Sequence, residues 1–280
     1  MKTFWIRTAS ATVYALLFLG SIYSGRLVGK MWGTIILSAF ALFVAVGCAF
    51  EYYRIAEKQG AKPLKPLGYA YCALMITTWT LSELLFYSGG FIVEIVGWIV
   101  VLSLVVTLGV HLWRKTEQPF ADAMHTLLPM FYAALPLAMM PYLHYTKNVL
   151  VMCIIMVWVN DSFAYMGGSL VGRHKMWPRH SPGKTWEGTA IGVAAAVATG
   201  VLVGPMFATV LSWFDWVVLA LVCSIVGTLG DLTESMLKRS VGLKDSGNIM
   251  PGHGGFLDRF DSLLFILPVV CAYCYFLGWE

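Results

Sequence analysis

The sequence predicts an all-α, polytopic integral membrane protein, and three observations carry that prediction. Of the 280 residues 59% are hydrophobic and 12% charged, which is too apolar for a soluble domain. The apolar residues gather into nine runs, near 8–25, 31–50, 68–87, 91–112, 124–143, 148–167, 187–208, 211–232 and 256–278, each close to the roughly 20 residues that cross a bilayer. Lys and Arg are also spread unevenly over the connections. Fifteen of the nineteen lie at the N-terminus and after runs two, four, six and eight, three lie on the opposite side, and Arg259 opens run nine. Cytoplasmic connections hold the excess of Lys and Arg, so the split predicts about nine spans with the N-terminus cytoplasmic and Glu280 outside. Loops 168–186 and 233–255 then face the cytoplasm from the cell (inner) membrane. The net charge of +4 is modest and gives no reason to expect nucleic acid as a partner.

The first run follows Lys2 and Arg7 and has no convincing small-residue cleavage site, so it reads as a retained span. After run two, Glu51 to Leu67 contains EKQGAKPLKP and reads as a basic surface loop suited to anionic headgroups or simply to positive-inside charge. Glu83 sits inside run three, and Pro129, Pro136 and Pro141 interrupt run five. Neighbouring helices can satisfy the carbonyls a proline frees, so kinks are expected there and not breaks. The six cysteines, at 48, 72, 153, 223, 271 and 274, all fall in or beside apolar runs and read as small core residues, with the CxxC of Cys271 and Cys274 lying inside a span.

Two stretches carry chemistry. In run six Asp161 stands near the end of an apolar segment, where an ionisable residue is a functional candidate. It is followed by Gly167, Gly168, Gly172 and then SPGKTWEG from Ser181. A Walker motif needs Gly at position 178 and finds Pro178, which excludes a P-loop NTPase. A shorter phosphate-binding turn, with Lys184 as a point charge and backbone donors at the following helix start, is the expectation.

The second stretch, SMLKRSVGLKDSGNIMPGHGGFLDRFD from Ser235 to Asp261, sets eight ionisable residues between two apolar runs. If the preceding run is a helix, Asp231, Glu234, Ser235 and Lys238 share one face. Gly252, Gly254 and Gly255 bracket His253, and Asp258, Arg259 and Asp261 fall in the first turn of the next run. Glycines that let backbone N–H groups approach an anion, a helix N-terminus and carboxylates suited to a divalent metal together point to phosphate chemistry. Singly, each residue also fits a helix cap or a membrane-edge anchor. Ser246 reads as an exposed loop position.

Ser235, Lys238-Arg239, Lys244-Asp245, Gly247, Pro251, His253-Gly254-Gly255, Asp258-Arg259 and Asp261 resemble the signature of the phosphatidate cytidylyltransferases, also called CDP-diacylglycerol synthases. The stretch from Asp161-Ser162-Phe163-Ala164-Tyr165 through SPGKTWEG resembles a second block of that family. The departures are Met250, where another apolar residue is usual, and Ser162, which keeps the hydroxyl of the usual Thr. The likeness is close over about the last 120 residues and extends to the first 140 only in hydropathy.

The resemblance implies a membrane enzyme that couples CTP to phosphatidate with Mg²⁺, giving CDP-diacylglycerol and pyrophosphate. Its partners would be CTP, phosphatidate and the lipid bilayer, and a homodimer is left open. A phosphate monoester with a second pKa of about 6 is already a nucleophile at neutral pH, so no activated Ser or Cys is required. Asp231 and Asp258 are the first-choice metal ligands, with Asp261 and Asp161 next. Lys238, Arg239, Lys244 and Arg259 are expected on phosphates, and Lys184 with Ser181 on CTP phosphates or the lipid headgroup. His253 either assists pyrophosphate departure or shapes its loop. Residues 1–143, about five spans, form the N-terminal part, and 144–280, about four spans with both polar loops, the catalytic region of one continuous membrane unit. The alternatives are a CTP-dependent enzyme on another lipid, either an ether phospholipid cytidylyltransferase or a polyprenol kinase, and a secondary transporter.

Overall fold

The structure, a computed structural model, describes residues 2–85, 89–208, 211–247, 249 and 254–278, and it is built almost wholly of helices. In chain order these are α1 (Lys2–Val28), α2 (Lys30–Lys58), α3 (Lys65–Leu85), α4 (Gly89–Leu112), α5 (Pro119–Pro129), α6 (Leu135–Ala138), α7 (Met140–Lys147), α8 (Val149–Val171), α9 (Trp186–Phe207), α10 (Trp213–Arg239) and α11 (Leu257–Phe276). A short antiparallel hairpin, β1 (Lys175–Trp177) and β2 (Ser181–Thr185), precedes α9 and was not expected from the sequence.

Among the described residues, seven helical segments are long and apolar enough to cross a membrane: α2, Ile92–Leu112 of α4, the run Pro119–His144, and α8, α9, α10 and α11. The expected run 68–87 falls on α3, outside those seven, and run 8–25 on α1, whose part Thr12–Val28 is a shorter apolar helix. The proline-rich fifth run stays helical but not regular. A π-helical turn, Met130–Ala134, separates α5 from α6, and Leu135 N–H donates to Met130 O across it. The wider turn accommodates Pro136, which has no N–H to give.

By contacts the chain forms two compact units, Met1–Pro141 with Ser240–Arg259, and Tyr142–Arg239 with Phe260–Glu280. In the first unit the expected surface loop after run two proves to be mostly helix. α2 continues to Lys58, and Glu51 is 0% exposed. The short coil beyond it is tied to α5: Lys62 N–H donates to buried Asp122 at 2.6 Å and Leu64 N–H to Thr126 Oγ1 at 2.9 Å. Tyr53 OH donates to Thr126 O at 2.9 Å, so α2, the coil and α5 share one polar seam.

In the second unit a stripe of small residues sets how closely helices approach. The buried residues of α9 are Gly188, Gly192, Ala196, Gly200 and Gly204, one every four residues. A Cβ on Gly192 would lie 2.6 Å from Asn160 O of α8, and one on Gly204 would enter the ring of Trp216 of α10. Such stripes let helix backbones pack at close range in a bilayer. Gly227 and Gly230 do the same for α10 against α11, where a Cβ on Gly230 would meet Asp261 O at 2.5 Å.

Candidate active site

The close approach of α10 and α11 at Gly230 builds the acidic half of the site. Asp231, Glu234 and Asp261 each offer one oxygen, and these oxygens all lie within 4.8 Å of one another. Asp231 and Glu234 are three residues apart on one face of α10. Asp161 of α8 interacts electrostatically with Asp231, Asp261 and Lys184, and its Oδ1 accepts from Asn160 Nδ2 at 3.1 Å. Two ammonium groups meet this acid. Lys184 Nζ is 2.5 Å from Asp231 Oδ2, and Lys238 Nζ is 2.5 Å from Glu234 Oε2, with the Lys238 side chain only 12% exposed. Ser235 Oγ lies 3.4 Å from Asp231 Oδ1, at the long limit of a hydrogen bond.

Lys184 arrives there because SPGKTWEG forms a hairpin edge leading into α9. Thr185 caps the helix, its Oγ1 accepting from Gly188 N at 3.2 Å, a cap worth about 1 kcal/mol. Trp186 N–H donates to His174 O, and Glu187 accepts from Arg173 N and His174 N. Two of the backbone donors expected to face phosphate at this helix start, those of Trp186 and Gly188, are thus engaged within the protein. The side chain of Lys184 is the group of this stretch that reaches the acidic cluster. Ser181 opens β2 opposite Trp177 and is half-buried.

The other expected residues belong to the loop of the first unit. Asp258 Oδ2 accepts from Ser246 N at 2.9 Å, Ser246 Oγ at 2.9 Å and Gly255 N at 2.7 Å. Asp258 therefore closes its own loop at the start of α11, and the group of three clustered carboxylates found among the described residues comprises Asp231, Glu234 and Asp261. Ser246, read as exposed, is 4% exposed, because its hydroxyl lies between two carboxylates, Asp258 and Glu51. Lys244 and Arg259 are exposed, as is Arg239 at the end of α10. His253 lies outside the described residues.

Sequence reasoning placed Glu234 on the face of Asp231 without assigning it a role, and it missed Glu51 altogether. The signal for Glu234 was its three-residue spacing from Asp231. Glu51 sits 195 residues before Ser246, to which it bonds, so no local pattern could have found it.

The donor set suits a hard divalent cation. Three carboxylates cluster here with Asp161 as an electrostatic neighbour, Lys184 pairs with Asp231 and Lys238 with Glu234, and carboxylate oxygens are the ligands Mg²⁺ prefers.

The profile of the cytidylyltransferase family matches residues 5–277. A Staphylococcus epidermidis protein named phosphatidate cytidylyltransferase is 39% identical over 171 residues, 59% of this chain and 64% of that one. Proteins of the same name from Staphylococcus saprophyticus and Bacillus subtilis are 38% identical over 165 residues and 45% identical over 114. The matches cover 60% and 42% of those two proteins and 56% and 41% of this chain. The chain thus spans less than two thirds of the length of these relatives.

Proposed function

The chain belongs to the cytidylyltransferase family, and from that premise we propose that it transfers the cytidylyl group of CTP to phosphatidate, releasing pyrophosphate and forming CDP-diacylglycerol. The observation that carries the reading is the meeting of Asp231, Glu234 and Asp261 with Lys184 and Lys238 at the close crossing of α10 and α11. The names of the relatives supply the acceptor.

Joining two polyanions requires that their repulsion be cancelled while they are held in line. The lipid phosphate is its own nucleophile, which accounts for a site of carboxylates and ammonium groups without a Ser or Cys nucleophile. Asp231, Glu234 and Asp261, with Asp161 beside them, would hold Mg²⁺, which supplies neutralisation of phosphate oxygens. Lys184 and Lys238 answer the carboxylates before substrate arrives and offer their charge to phosphate oxygens once it is bound. Arg239, Lys244 and Arg259 would meet phosphate oxygens, and Asp258 keeps the loop and the start of α11 in shape.

The same reading makes residues 144–280 the catalytic region. It sets the protein in the cell membrane with about nine spans, the N-terminus and both polar loops being cytoplasmic, on the side of the CTP pool.

The test is to give purified protein labelled CTP with phosphatidate, its ether analogue or a polyprenol and to identify the labelled lipid. CDP-diacylglycerol from phosphatidate supports the reading, and label only in a polyprenol or only in the ether lipid overturns it.

A further inference from the structure

We propose that Glu51 is a positioning residue for the catalytic loop, so that the N-terminal half of the chain sets the loop's geometry from a single stripe of α2. The inference rests on the cytidylyl-transfer reading for its kinetics and on the structure alone for its geometry. Positions 43, 47, 51, 55 and 59 recur every four residues and so lie along one side of α2 and its C-cap. Four of them meet the polar loop. Phe43 packs edge-on against Phe256 with ring centroids 5.3 Å apart, and Gly47 leaves room for that ring, since any Cβ there would collide with it. Glu51 Oε1 accepts from Phe256 N at 2.9 Å, while its Oε2 accepts from Leu257 N at 2.9 Å and Ser246 Oγ at 2.8 Å. Gln59 Nε2 donates to Ser240 Oγ at 2.7 Å.

The chemistry explains why a carboxylate occupies position 51. A helix N-terminus offers unpaired N–H groups and the positive end of the helix dipole, and two carboxylate oxygens can accept from successive N–H groups at once. Glu51 does this at the start of α11, the helix that bears Asp261 in its second turn. The fit leaves no slack: a Cβ on Gly247 or Gly255 would collide with the Glu51 carboxylate. Ser246 Oγ lies 2.8 Å from Glu51 Oε2 and 2.9 Å from Asp258 Oδ2, so its single proton is shared between the α2 stripe and the residue that closes the loop. A charge that is 0% exposed costs free energy unless it is fully hydrogen-bonded, and here the bonds all go to the loop and to the first N–H groups of α11.

Glutamine cannot replace this group. Its amide nitrogen would face an N–H in place of one oxygen, so Glu51→Gln leaves a donor opposite a donor. Aspartate is one methylene too short to keep both contacts. Displacement of a catalytic loop by about 1 Å can cost about 100-fold, and that is the loss in kcat expected for Glu51→Gln in full-length protein in detergent. Gly255→Ala, which presses on the same carboxylate from the loop side, is expected to imitate it.

The decisive arm is a double-mutant cycle of Glu51→Gln with Ser246→Ala. If both act through one network, the double variant loses little more kcat/KM than the worse single variant. Effects that multiply, or kcat for folded Glu51→Gln within twofold of wild type, overturn the proposal. Should the substitution prevent folding, hydrogen exchange on the wild-type protein decides the matter. Strong protection at the Phe256 and Leu257 amides supports the latch, and exchange at unprotected rates overturns it. If phosphatidate proves not to be the acceptor, the function reading fails and the cycle is run on the accepted lipid.

Discussion

Lys238 shows how far a single residue could be read from sequence. Its place seven residues after Asp231 put both on one helical face, and the structure pairs it with Glu234, one turn nearer, inside the same acidic group. If its charge matters most as pyrophosphate departs, Lys238→Ala lowers kcat and kcat/KM together, because an interaction confined to the transition state is lost. Steady-state kinetics with varied CTP at saturating Mg²⁺ checks this, and an unchanged kcat would reduce Lys238 to an anchor at the membrane edge. Lys238→Arg should rescue poorly, since a planar guanidinium cannot place a compact ammonium against Glu234. By sequence Asp258 was a first-choice ligand and Asp261, three residues on, came next. In the structure Asp261 joins the cluster and Asp258 accepts from Ser246 and Gly255. Asp261→Asn is therefore expected to raise the Mg²⁺ concentration for half-maximal activity by tenfold or more. Asp258→Asn should lower kcat while leaving that concentration within about twofold, and a reversed pattern in a Mg²⁺ titration would return the ligand role to Asp258.

At the scale of elements, the helices were legible because apolar runs of about 20 residues have few other outcomes. Their spacing was not. Glycine and alanine within a run add to its hydrophobic count without announcing that a neighbour lies against them, so the four-residue stripe on α9 and the Gly230 contact on α10 appear only once the helices are packed. The hairpin before α9 was hidden for another reason: two strands of three and five residues within a charged stretch carry no apolar alternation. Gly230 gives this scale its prediction. A methyl there faces Asp261 O and Ser262 Cα at 2.5 and 3.1 Å, backbone atoms that cannot step aside. Overpacking of this kind costs about 1–3 kcal/mol, so Gly230→Ala should lower thermal stability in detergent and, by parting α10 from α11, reduce activity at least tenfold. Full activity in that variant would mean that the two helices need not be so close.

Across the whole molecule, the sequence revealed the membrane class and the two polar stretches, but not that the chain's two compact units are each discontinuous. The loop 240–259 belongs with the first 141 residues, and the contact that shows it, Glu51 with Ser246, Phe256 and Leu257, joins segments about 200 residues apart. Topology is the molecular-scale prediction. Because Ser246 is buried, a thiol probe belongs at exposed Lys244. Lys244→Cys should resist an impermeant thiol reagent in intact cells and react after lysis, whereas labelling of intact cells would put the loop on the wrong side for CTP. The central claim, cytidylyl transfer to a lipid phosphate, is met most directly by supplying phosphatidate and Mg²⁺ with CTP labelled at either the α or the γ phosphate. Label from the α position should appear in the lipid and label from the γ position in pyrophosphate. Transfer of γ label to the lipid would make the protein a kinase and contradict the account.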